Sequence, residues 1–395
     1  MLLEGLSVIE WSDDLASQFA SRLLGDLGAQ VLKFEPPGGS VIRKKGPMWP
    51  GQENAPEAGI LFDFLNAGKI CRSIDPQSST DVAIFERALA GANVLVQSGL
   101  DAAFASGGLS VSQLRDRFPQ LVVVSITPFG VDADAGQYQP MSEFVLQHHV
   151  GVAHAMARPV SNPEAQPPLA AADHEGPLAV GVCGALAAAW GLLVVQAGGK
   201  APQIDLASQD FYAQVLLDDF SQFAQGKTKF SRDRKDNPNV APAGGISWLL
   251  PAQDGFIMVS PREEHQWQRW LVVLDHPAWA GEAALCGSVA IRKQNWAKLR
   301  DLMGEWSRRL PAAELAARAQ KQKVACFPVS TPAELLKNAQ LHHRRFFDLL
   351  VSPGGGAVRI PGLPFQIVDS SGRQLLRERV VQRPRTEALE SSNYE

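Results

Sequence analysis

Two groups of side chains in this sequence have types and positions suited to chemistry on a phosphorylated small molecule. The first is a set of cations in glycine-containing loops, with Arg43, Lys44 and Lys45 after EPPGGSVI, and Lys69 and Arg72 after LFDFLNAG. Glycine lets the backbone approach a phosphate, while arginine and lysine neutralise its charge. Cations on loops are more commonly only solvated, so composition alone leaves both interpretations open.

The second group is a lone carboxylate, Asp173, just before a long uncharged segment. Residues 176–199 contain no charged side chain, and Pro177 suits the first turn of a helix there. A carboxylate at that point lies near the positive end of the helix dipole, which favours the anion that a nucleophile needs. The same placement is ordinary helix capping, and Glu175 is a competing carboxylate. Capping and nucleophilic catalysis both remain open.

The sequence lacks the motifs of several common classes of enzyme. The 395 residues contain no GxGxxG, Walker A, GxSxG or HExxH motif, and the histidines at 148, 149 and 154 lack metal-ligand spacing. Lys and Arg total 37 against 41 Asp and Glu, and this net charge of −4 excludes a broad nucleic-acid surface. The four cysteines show neither disulfide nor metal spacing, and the amino terminus lacks a signal-peptide pattern. We expect a cytoplasmic protein with no metal site and no nucleic-acid partner.

The elements that position these side chains follow from hydrophobic patterning. The first 130 residues alternate β-branched runs with helical runs, which is typical of a parallel sheet covered by helices. The predicted strands are LSVIEW, AQVLKFE, CRSID, ANVLVQ and LVVVSI. This pattern predicts a doubly wound α/β fold, in which ligands bind at loops that follow the carboxyl ends of strands. We therefore expect the chemistry in the loops after Trp11, Glu35, Val96 and Ile126.

The second half of the chain predicts a smaller α+β domain. A strand pair with an Asp-Gly turn begins at residue 246, and amphipathic helices follow it. We expect a large domain over 1–205 that residues 335–395 complete, a linker over 206–243, a small domain over 244–325 and a return linker over 326–334. The uncharged segment 176–199 is rich in glycine and alanine, which favours a helix buried between layers over a membrane span. No membrane partner is expected.

The order of several motifs resembles the family III CoA-transferases, which include formyl-CoA transferase, carnitine CoA-transferase and α-methylacyl-CoA racemase. The motifs are LEGLSVIEW, RLLGDLGAQVLKFEPPGGSVIR, LNAGKICRSID, ANVLVQ, SITPFG, GGKAPQIDLAS and, near the carboxyl end, VRIPGLPFQI. The resemblance implies a Rossmann-like large domain built from both chain ends, a small domain, and two protomers threaded through each other as interlinked rings. It also implies acyl-CoA and carboxylic acid substrates, with no tightly bound cofactor. A homodimer is expected, and a heteromer with a related chain stays open.

The resemblance further implies roles for individual residues. Asp173 matches the family's nucleophilic aspartate, and Glu143 matches an acidic residue beside the active site. Arg43 matches a cation that meets the CoA nucleotide, and Lys44 is expected to assist it. Lys69 matches the lysine of an Asn-x-x-Lys segment at the CoA site.

Other matching positions depart from the family's pattern. After the strand ANVLV, the family has a Glu-Asn pair at the CoA site, and this chain has Gln97 and Ser98 instead. Ser98 is therefore the candidate CoA-binding residue at this position. The loop after the first strand carries Asp13 and Asp14, where family members have aromatic, basic or apolar residues. Two carboxylates there would repel a phosphate. We therefore expect fewer contacts to the nucleotide than in other members.

The activity that the resemblance implies is transfer of CoA from an acyl-CoA to a free carboxylic acid, through an aspartyl anhydride and an aspartyl-CoA thioester. Backbone amides near a glycine-rich lid, which Gly244 and Gly245 loosely match, would stabilise the oxyanions. An acyl-CoA racemase is an alternative, although Ser142 stands where the racemase branch has a histidine. A non-catalytic partner subunit with weakened CoA binding is the other alternative, and Asp13 and Asp14 motivate it.

Overall fold

The chain divides into two units, which we call the large unit and the small unit. The computed structural model describes residues 2–52, 59–133, 142–153, 165, 167, 169–171, 174–226, 246–352, 356–372, 374–376 and 379–386. The large unit comprises Met1–Met156, Leu169–Thr228 and Gln340–Glu395, and the small unit comprises Ala157–Pro168 and Lys229–Ala339.

The secondary structure alternates between strand and helix in the first part of the large unit and is mostly helical in the small unit. The strands are β1 Ser7–Trp11, β2 Gln30–Glu35, β3 Ile70–Ser73, β4 Val94–Gln97, β5 Val122–Thr127, β6 Gln203–Ala207, β7 Trp248–Pro251, β8 Phe256–Val259, β9 Cys326–Pro328, β10 Phe347–Val351, β11 Ala357–Pro361, β12 Ile367–Val368, β13 Gln374–Leu375, β14 Val380–Gln382 and β15 Arg385–Thr386. The α-helices are α1 Leu15–Asp26, α2 Ile60–Asn66, α3 Ser79–Ala90, α4 Leu100–Ala103, α5 Val111–Arg117, α6 Glu143–His149, α7 Glu175–Gln196, α8 Ser208–Gln214, α9 Leu217–Ala224, α10 Glu264–Val273, α11 Ala283–Cys286, α12 Val289–Gln294, α13 Trp296–Ser307, α14 Ala312–Lys321, α15 Pro332–Leu335 and α16 Ala339–His343. Short 3-10 helices span Val41–Lys44, Ala105–Gly107 and Ala278–Gly281.

The large unit is built on a sheet with the strand order β15-β3-β2-β1-β4-β5-β6. All of its strand pairings are parallel. The order from β3 to β6 is that of a doubly wound α/β fold, and β15 adds the carboxyl end of the chain beside β3. The predicted α/β fold class, with a large domain made from both chain ends, is therefore confirmed.

The central strands of this sheet are buried on both faces. Val8 packs into one apolar layer together with Val94, while the next residue, Ile9, packs into the opposite layer together with Leu95. Strands covered by helices on both faces carry nearly continuous apolar runs, which explains the patterns SVIEW and LVVVSI. The polar residues of these strands are concentrated at the carboxyl edge, where the candidate site lies.

Helix α7 packs against the sheet and α1 through small residues. A Cβ on Gly181 would lie 2.7 Å from the Ala16 carbonyl oxygen, and a Cβ on Gly184 would lie 2.5 Å from Ile126 Cδ1. Only glycine allows this close approach, so the glycine-rich composition of the helix is required by its packing.

The opposite face of α7 is exposed in the single chain. Leu186, Trp190 and Leu193 on that face are more than half exposed. The helix is long and apolar enough to cross a membrane by length and composition, and 28% of its most apolar window is buried. The prediction of a helix buried between layers is thus correct for the glycine face and wrong for the face of Leu186, because only the glycine face meets the sheet and α1.

The small unit has an antiparallel sheet with the order β7-β8-β9. Trp248 pairs with Val259, and the turn between β7 and β8 closes with a 2.8 Å hydrogen bond from Ala252 N to Gly255 O. Trp270 of α10 and Leu315 of α14 pack into one core with these strands. The predicted strand pair and helices are found at these positions.

The boundaries of the units differ from the predicted domain boundaries in several places. Ala157–Pro168, which we expected in the large domain, belongs to the small unit, and the large unit resumes at Gln340 instead of residue 335. The predicted linker over 206–243 begins with α8 and α9, which belong to the large unit because Tyr212 of α8 packs in its apolar layer with Val124. The predicted return linker over 326–334 contains β9, in which Cys326 pairs with Val259 of the small unit. Residues 206–226 and 326–334 are therefore structural parts of a unit.

Candidate active site

A cavity of about 490 Å³ opens in the large unit at the carboxyl ends of β1, β4 and β5. In doubly wound sheets ligands bind at this edge, beside the point where the strand order reverses, here between β1 and β4. The residues that line the cavity are Asp13, Asp14, Leu15, Ala16, Ile42, Lys45, Gly46, Leu61, Ser98, Ile126, Thr127, Pro128, Ser142, Glu143, Phe144, Leu146, His174, Pro177 and Ser208. They come from the loops after β1, β2, β4 and β5, as the sequence predicted, from the end of β5, and from α1, α2, α6, α7 and α8.

Asp14 forms part of the cavity wall and begins α1. Its Oδ1 accepts a 2.8 Å hydrogen bond from Ser17 N, whereas its Oδ2 is buried and has no hydrogen-bond partner among the described residues. Burial raises the pKa of Asp14, and the nearby Glu10 carboxylate adds to the rise, against hydrogen bonds with Ser17 and Ser98. The carboxyl group of Asp14 is therefore poorly stabilised as an anion.

Asp13 connects the loop after β1 to the loop after β2. Its Oδ1 accepts hydrogen bonds from the Ser40 hydroxyl and from Val41 N, the latter at 3.1 Å. Val41 begins the 3-10 helix Val41–Lys44, so Asp13 fixes the start of the segment that carries the predicted CoA-binding cations. The carboxylate thus has a structural role at the edge of the cavity.

Glu143 forms a hydrogen-bonded cluster with Gln147 and Tyr212. Its Oε1 accepts hydrogen bonds from the Tyr212 hydroxyl and, at 3.0 Å, from Gln147 Nε2. Gln147 Oε1 in turn accepts a 2.8 Å hydrogen bond from Ala171 N. Burial raises the pKa of Tyr212, and the Glu143 carboxylate raises it further, so the phenol stays a hydrogen-bond donor. We call these three residues the Glu143 cluster.

The first turn of α7 packs directly on the Glu143 cluster. A Cβ on Gly176 would lie 2.7 Å from Gln147 Nε2 and 2.8 Å from Glu143 Oε1, and closer still to the Tyr212 hydroxyl. Only glycine leaves room for the cluster at this point. The start of α7 and the cluster therefore depend on each other sterically.

Asp173 lies outside the described residues, but residues on both sides of it in the sequence belong to this site. Ala171 is held by its hydrogen bond to Gln147, and His174 and Pro177 line the cavity. The predicted lid glycines, Gly244 and Gly245, also lie outside the described residues. The nucleophilic role of Asp173 stays a prediction.

Arg43 and Lys44 lie outside the lining of this cavity. The Arg43 guanidinium makes two 2.9 Å hydrogen bonds to the Glu35 carboxylate and stacks 4.0 Å from the centre of the Phe62 ring. Arg43 is buried and lines a smaller cavity of about 210 Å³ together with Gly38 and Gly39, whereas Lys44 is exposed. Their contacts to CoA stay predictions. The next residue, Lys45, is the lysine that lines the larger cavity.

Lys69 departs from the CoA-binding role expected for it. Its Nζ lies 2.7 Å from Glu10 Oε2 and from Gln18 O, and 2.9 Å from Ser21 Oγ and from Asn66 Oδ1. Lys69 is 2% exposed, and burial lowers its pKa to about 8 against the attraction of Glu10. An ammonium group has three donors, and protein acceptors use all of them. Lys69 therefore holds α1, α2 and β1 together instead of facing a ligand.

Glu10 is the centre of a buried charge cluster beneath the cavity. Its two carboxylate oxygens each lie 2.7 Å from an ammonium group, one of Lys33 and one of Lys69. Burial opposes the ionisation of Glu10, but the two ammonium groups outweigh it and lower the pKa to about 2. This cluster fixes the end of β1, from which the loop with Asp13 and Asp14 leaves the sheet.

Two of the predicted site residues, Ser98 and Glu143, line one cavity. Ser98 follows β4, and its N–H donates a 2.9 Å hydrogen bond to Trp11 O, which extends the pairing of β4 with β1 to the edge of the cavity. The other described candidates do not line this cavity: Arg43, Lys44 and Lys69.

Sequence reasoning missed Gln147 and Tyr212. Gln147 stands four residues after Glu143, and this spacing places two side chains on the same face of a helix, so a signal existed. Tyr212 is 69 residues from Glu143 in the sequence. The two residues meet because β6 pairs with β5, which places α8, the helix after β6, beside the site. Local sequence patterns do not encode such a long-range arrangement.

Comparison with known proteins identifies the family. The model of CoA-transferase family III matches residues 3–378. The succinyl-CoA:(R)-benzylsuccinate CoA-transferase subunit BbsE of Thauera aromatica is 25% identical over 371 residues, covering 91% of this chain and 86% of that protein. Formyl-CoA:oxalate CoA-transferase of Streptomyces avermitilis is 25% identical over 393 residues, covering 93% and 90%. A solved CAIB/BAIF family protein from Brucella suis is 25% identical with a TM-score of 0.80, covering 97% and 96%.

The chain therefore belongs to CoA-transferase family III, as the resemblance predicted. The low identity to these relatives marks it as a divergent member of this enzyme family.

Proposed function

We propose that this enzyme transfers CoA from an acyl-CoA thioester to a free carboxylic acid through covalent intermediates on Asp173. The observation that carries the proposal is the Glu143 cluster, which binds the backbone at Ala171 and packs on Gly176, on either side of Asp173 in the sequence. The relatives named as CoA-transferases that act on two acids support the same reaction class.

The proposed reaction balances over four displacements. The Asp173 carboxylate attacks the thioester carbonyl, a C–O bond forms, and CoA leaves as the thiolate, which produces a mixed anhydride. The thiolate then attacks the aspartyl carbonyl, and the donor acid leaves as its carboxylate, which produces an aspartyl-CoA thioester. The acceptor carboxylate attacks that thioester and expels the thiolate again. The thiolate finally attacks the acceptor carbonyl, which releases the new acyl-CoA and restores Asp173.

Local electrostatics at the start of α7 supports a nucleophilic carboxylate. Asp173 precedes Glu175, the first residue of a 22-residue helix, and the positive end of a helix dipole favours an anion. Tyr212 and Gln147 both donate to Glu143, so this second carboxylate is held in one orientation beside the same turn. Covalent catalysis divides one difficult transfer into easier displacements, and binding of the distant CoA nucleotide supplies the energy for positioning.

The residue at position 142 favours transfer over racemisation. Ser142 lines the cavity, and its hydroxyl accepts a hydrogen bond from Val145 N as the N-cap of α6. A serine engaged as a helix cap is a poor proton acceptor, whereas racemisation at the α-carbon needs bases on opposite faces. The racemase alternative is therefore the less supported one.

The exposed apolar face of α7 supports assembly with a second chain. Leu186, Trp190 and Leu193 form a row that a monomer would leave in water. We propose a homodimer, with a heteromer as the alternative because one relative is named as a subunit.

Substitution of Asp173 tests the proposed function directly. We expect Asp173→Asn to abolish CoA exchange between an acyl-CoA and a labelled carboxylic acid, with CoA binding by calorimetry unchanged. Glu175→Gln is the matched control, since Glu175 is an exposed carboxylate two residues away, and it should retain exchange. Full exchange by Asp173→Asn would show that the chemistry does not use this side chain.

A further inference from the structure

The charges around the 490 Å³ cavity are unevenly distributed. Among the described lining residues, three carry carboxyl groups, namely Asp13, Asp14 and Glu143, and one carries an ammonium group, Lys45. His174 is the remaining titratable side chain in this lining. Lys45 and Asp13 are both exposed, so water and salt screen their charges. A carboxylate at the distal end of an acyl group would therefore meet more repulsion than attraction from these described side chains.

The rest of the lining is largely apolar. It includes the side chains of Leu15, Ala16, Ile42, Leu61, Ile126, Pro128, Phe144, Leu146 and Pro177. Of these, Ile42, Ile126 and Leu146 are also part of the buried cores beneath the cavity. A cavity with apolar walls and a few polar groups suits an apolar ligand, and the polar groups fix the orientation of that ligand.

Asp14 is a polar group in this wall that has one buried oxygen without a hydrogen-bond partner among the described residues. Its Oδ1 is bound to Ser17 N, and its buried Oδ2 has no partner among the described residues. A second carboxylate placed beside the Asp14 carboxylate would meet its negative charge, whereas a neutral group would not.

We propose that the cavity selects monocarboxylic acyl groups with an apolar body, and that Asp14 is the residue that rejects acyl groups bearing a second, distal carboxylate. The inference rests on the proposed function, because it assumes that the acyl group of the thioester enters this cavity. It separates this chain from the relatives whose names give succinyl-CoA or oxalate as substrates, since each of those acids carries two carboxyl groups.

The test compares two thioesters of equal length that differ only at the distal end, butyryl-CoA and succinyl-CoA. Binding of each is measured by calorimetry on the Asp173→Ala variant, which needs no turnover, and kcat/KM is measured on the unaltered enzyme. We expect binding and kcat/KM to favour butyryl-CoA by about tenfold or more, the scale of one close like-charge contact in a partly hydrated site.

A substitution identifies the residue responsible. Asp14→Asn, in the Asp173→Ala background for binding and alone for turnover, keeps the size of the side chain and its ability to cap α1 but removes the charge. We expect it to shift the butyryl-to-succinyl ratio toward succinyl-CoA by about tenfold. Asp116→Asn on the exposed face of α5 is the matched control and should leave the ratio unchanged.

The outcomes separate this inference from the proposed function. A binding preference for butyryl-CoA that Asp14→Asn removes, together with no exchange activity, supports the selective cavity and refutes the transferase proposal. Equal or tighter binding of succinyl-CoA, an unchanged ratio in Asp14→Asn, or no binding of either thioester overturns the inference. Exchange that proceeds with succinyl-CoA as the preferred donor overturns it as well, while leaving the proposed transfer reaction intact.

Discussion

The substitution Gly176→Ala places one methyl group at the junction between α7 and the Glu143 cluster. The added Cβ would lie 2.7 Å from Gln147 Nε2 and 2.8 Å from Glu143 Oε1, closer than such atoms approach in folded proteins. All of the atoms it meets are at the ends of side chains, so rotation of those side chains relieves the clash without moving the backbone. The expected result is a folded protein in which the cluster has been displaced.

The cost to stability follows from the bonds that are lost. Rotation breaks the two hydrogen bonds that Tyr212 and Gln147 donate to Glu143, and a net loss of about 2–3 kcal/mol is reasonable for bonds to a half-buried charged acceptor. Replacing glycine by alanine inside a helix raises the free energy of unfolding by about 1 kcal/mol. We therefore expect the free energy of unfolding to fall by about 1–2 kcal/mol, measured by urea denaturation.

The cost to catalysis should be larger. Displacement of groups by about 1 Å at a reacting centre lowers rates by as much as a hundredfold. We expect kcat/KM for CoA exchange to fall by about tenfold to a hundredfold for Gly176→Ala, while CoA binding changes little. Tyr212→Phe removes one donor to Glu143 without the clash and should lower kcat/KM in the same direction.

Two glycine variants serve as controls. Gly191→Ala, on the same helix, would bring a Cβ within 2.5 Å of Val122 Cγ1, so it should destabilise the fold while the activity per folded molecule is retained. Gly281→Ala, where no atom lies within 4 Å of the added Cβ, should change neither quantity. If Gly176→Ala retained full kcat/KM, or if Gly191→Ala lost activity equally, the role assigned to the Glu143 cluster would be refuted.

Three further predictions concern stability, CoA binding and assembly. Glu10→Gln leaves two buried ammonium groups without their carboxylate. We expect the free energy of unfolding, measured by urea denaturation, to fall by about 3–5 kcal/mol. A fall of less than about 1 kcal/mol would contradict the assignment of a buried charge cluster. Because the pKa of Glu10 falls from 4.5 to about 2, its contribution is complete above pH 4.5 and is lost as the pH falls toward 2, so Glu10→Gln should flatten the acid limb of stability against pH. Lys45→Ala should weaken CoA binding by about threefold to tenfold in calorimetry at low salt, and by less at high salt, whereas salt-independent weakening would contradict a charge contact. If the proposed dimer uses the exposed face of α7, Leu186→Glu should shift the mass in light scattering from that of a dimer to that of a monomer, and an unchanged dimer mass would place the interface elsewhere.

The parallel sheet was predictable from the sequence because each central strand is a short apolar run that ends at a turn residue. The run SVIEW became β1 and LVVVSI became β5 with shifts of a residue or so at their ends. β6, with the sequence QIDLA, was missed although its alternation of polar and apolar residues is typical of a half-buried strand, because it is five residues long and continues directly into α8. The pairing of β15 with β3 joins residues more than 300 positions apart, which no local pattern records.

The candidate site was predictable only in part. Residue type and loop position identified Ser98 and Glu143, which line the same cavity. The same reasoning failed for Lys69. The local sequence of a lysine beside a glycine in a loop is the same whether the lysine faces a ligand or a buried carboxylate. That distinction depends on Glu10, 59 residues earlier, and on the way that β1 and α1 enclose the ammonium group.

The central claim is that an oxygen atom of Asp173 takes part in the transfer. The most direct measurement uses an acceptor acid labelled with oxygen-18 in its carboxylate, followed by mass spectrometry of the peptide that contains Asp173 after turnover. The proposed displacements pass one acceptor oxygen to the aspartate in each cycle, so that peptide should gain the heavy isotope, with fragment ions assigning it to Asp173 and not to Glu175, while the peptide containing Glu143 should not gain it. CoA transfer that proceeds with Asp173 unlabelled would contradict the account.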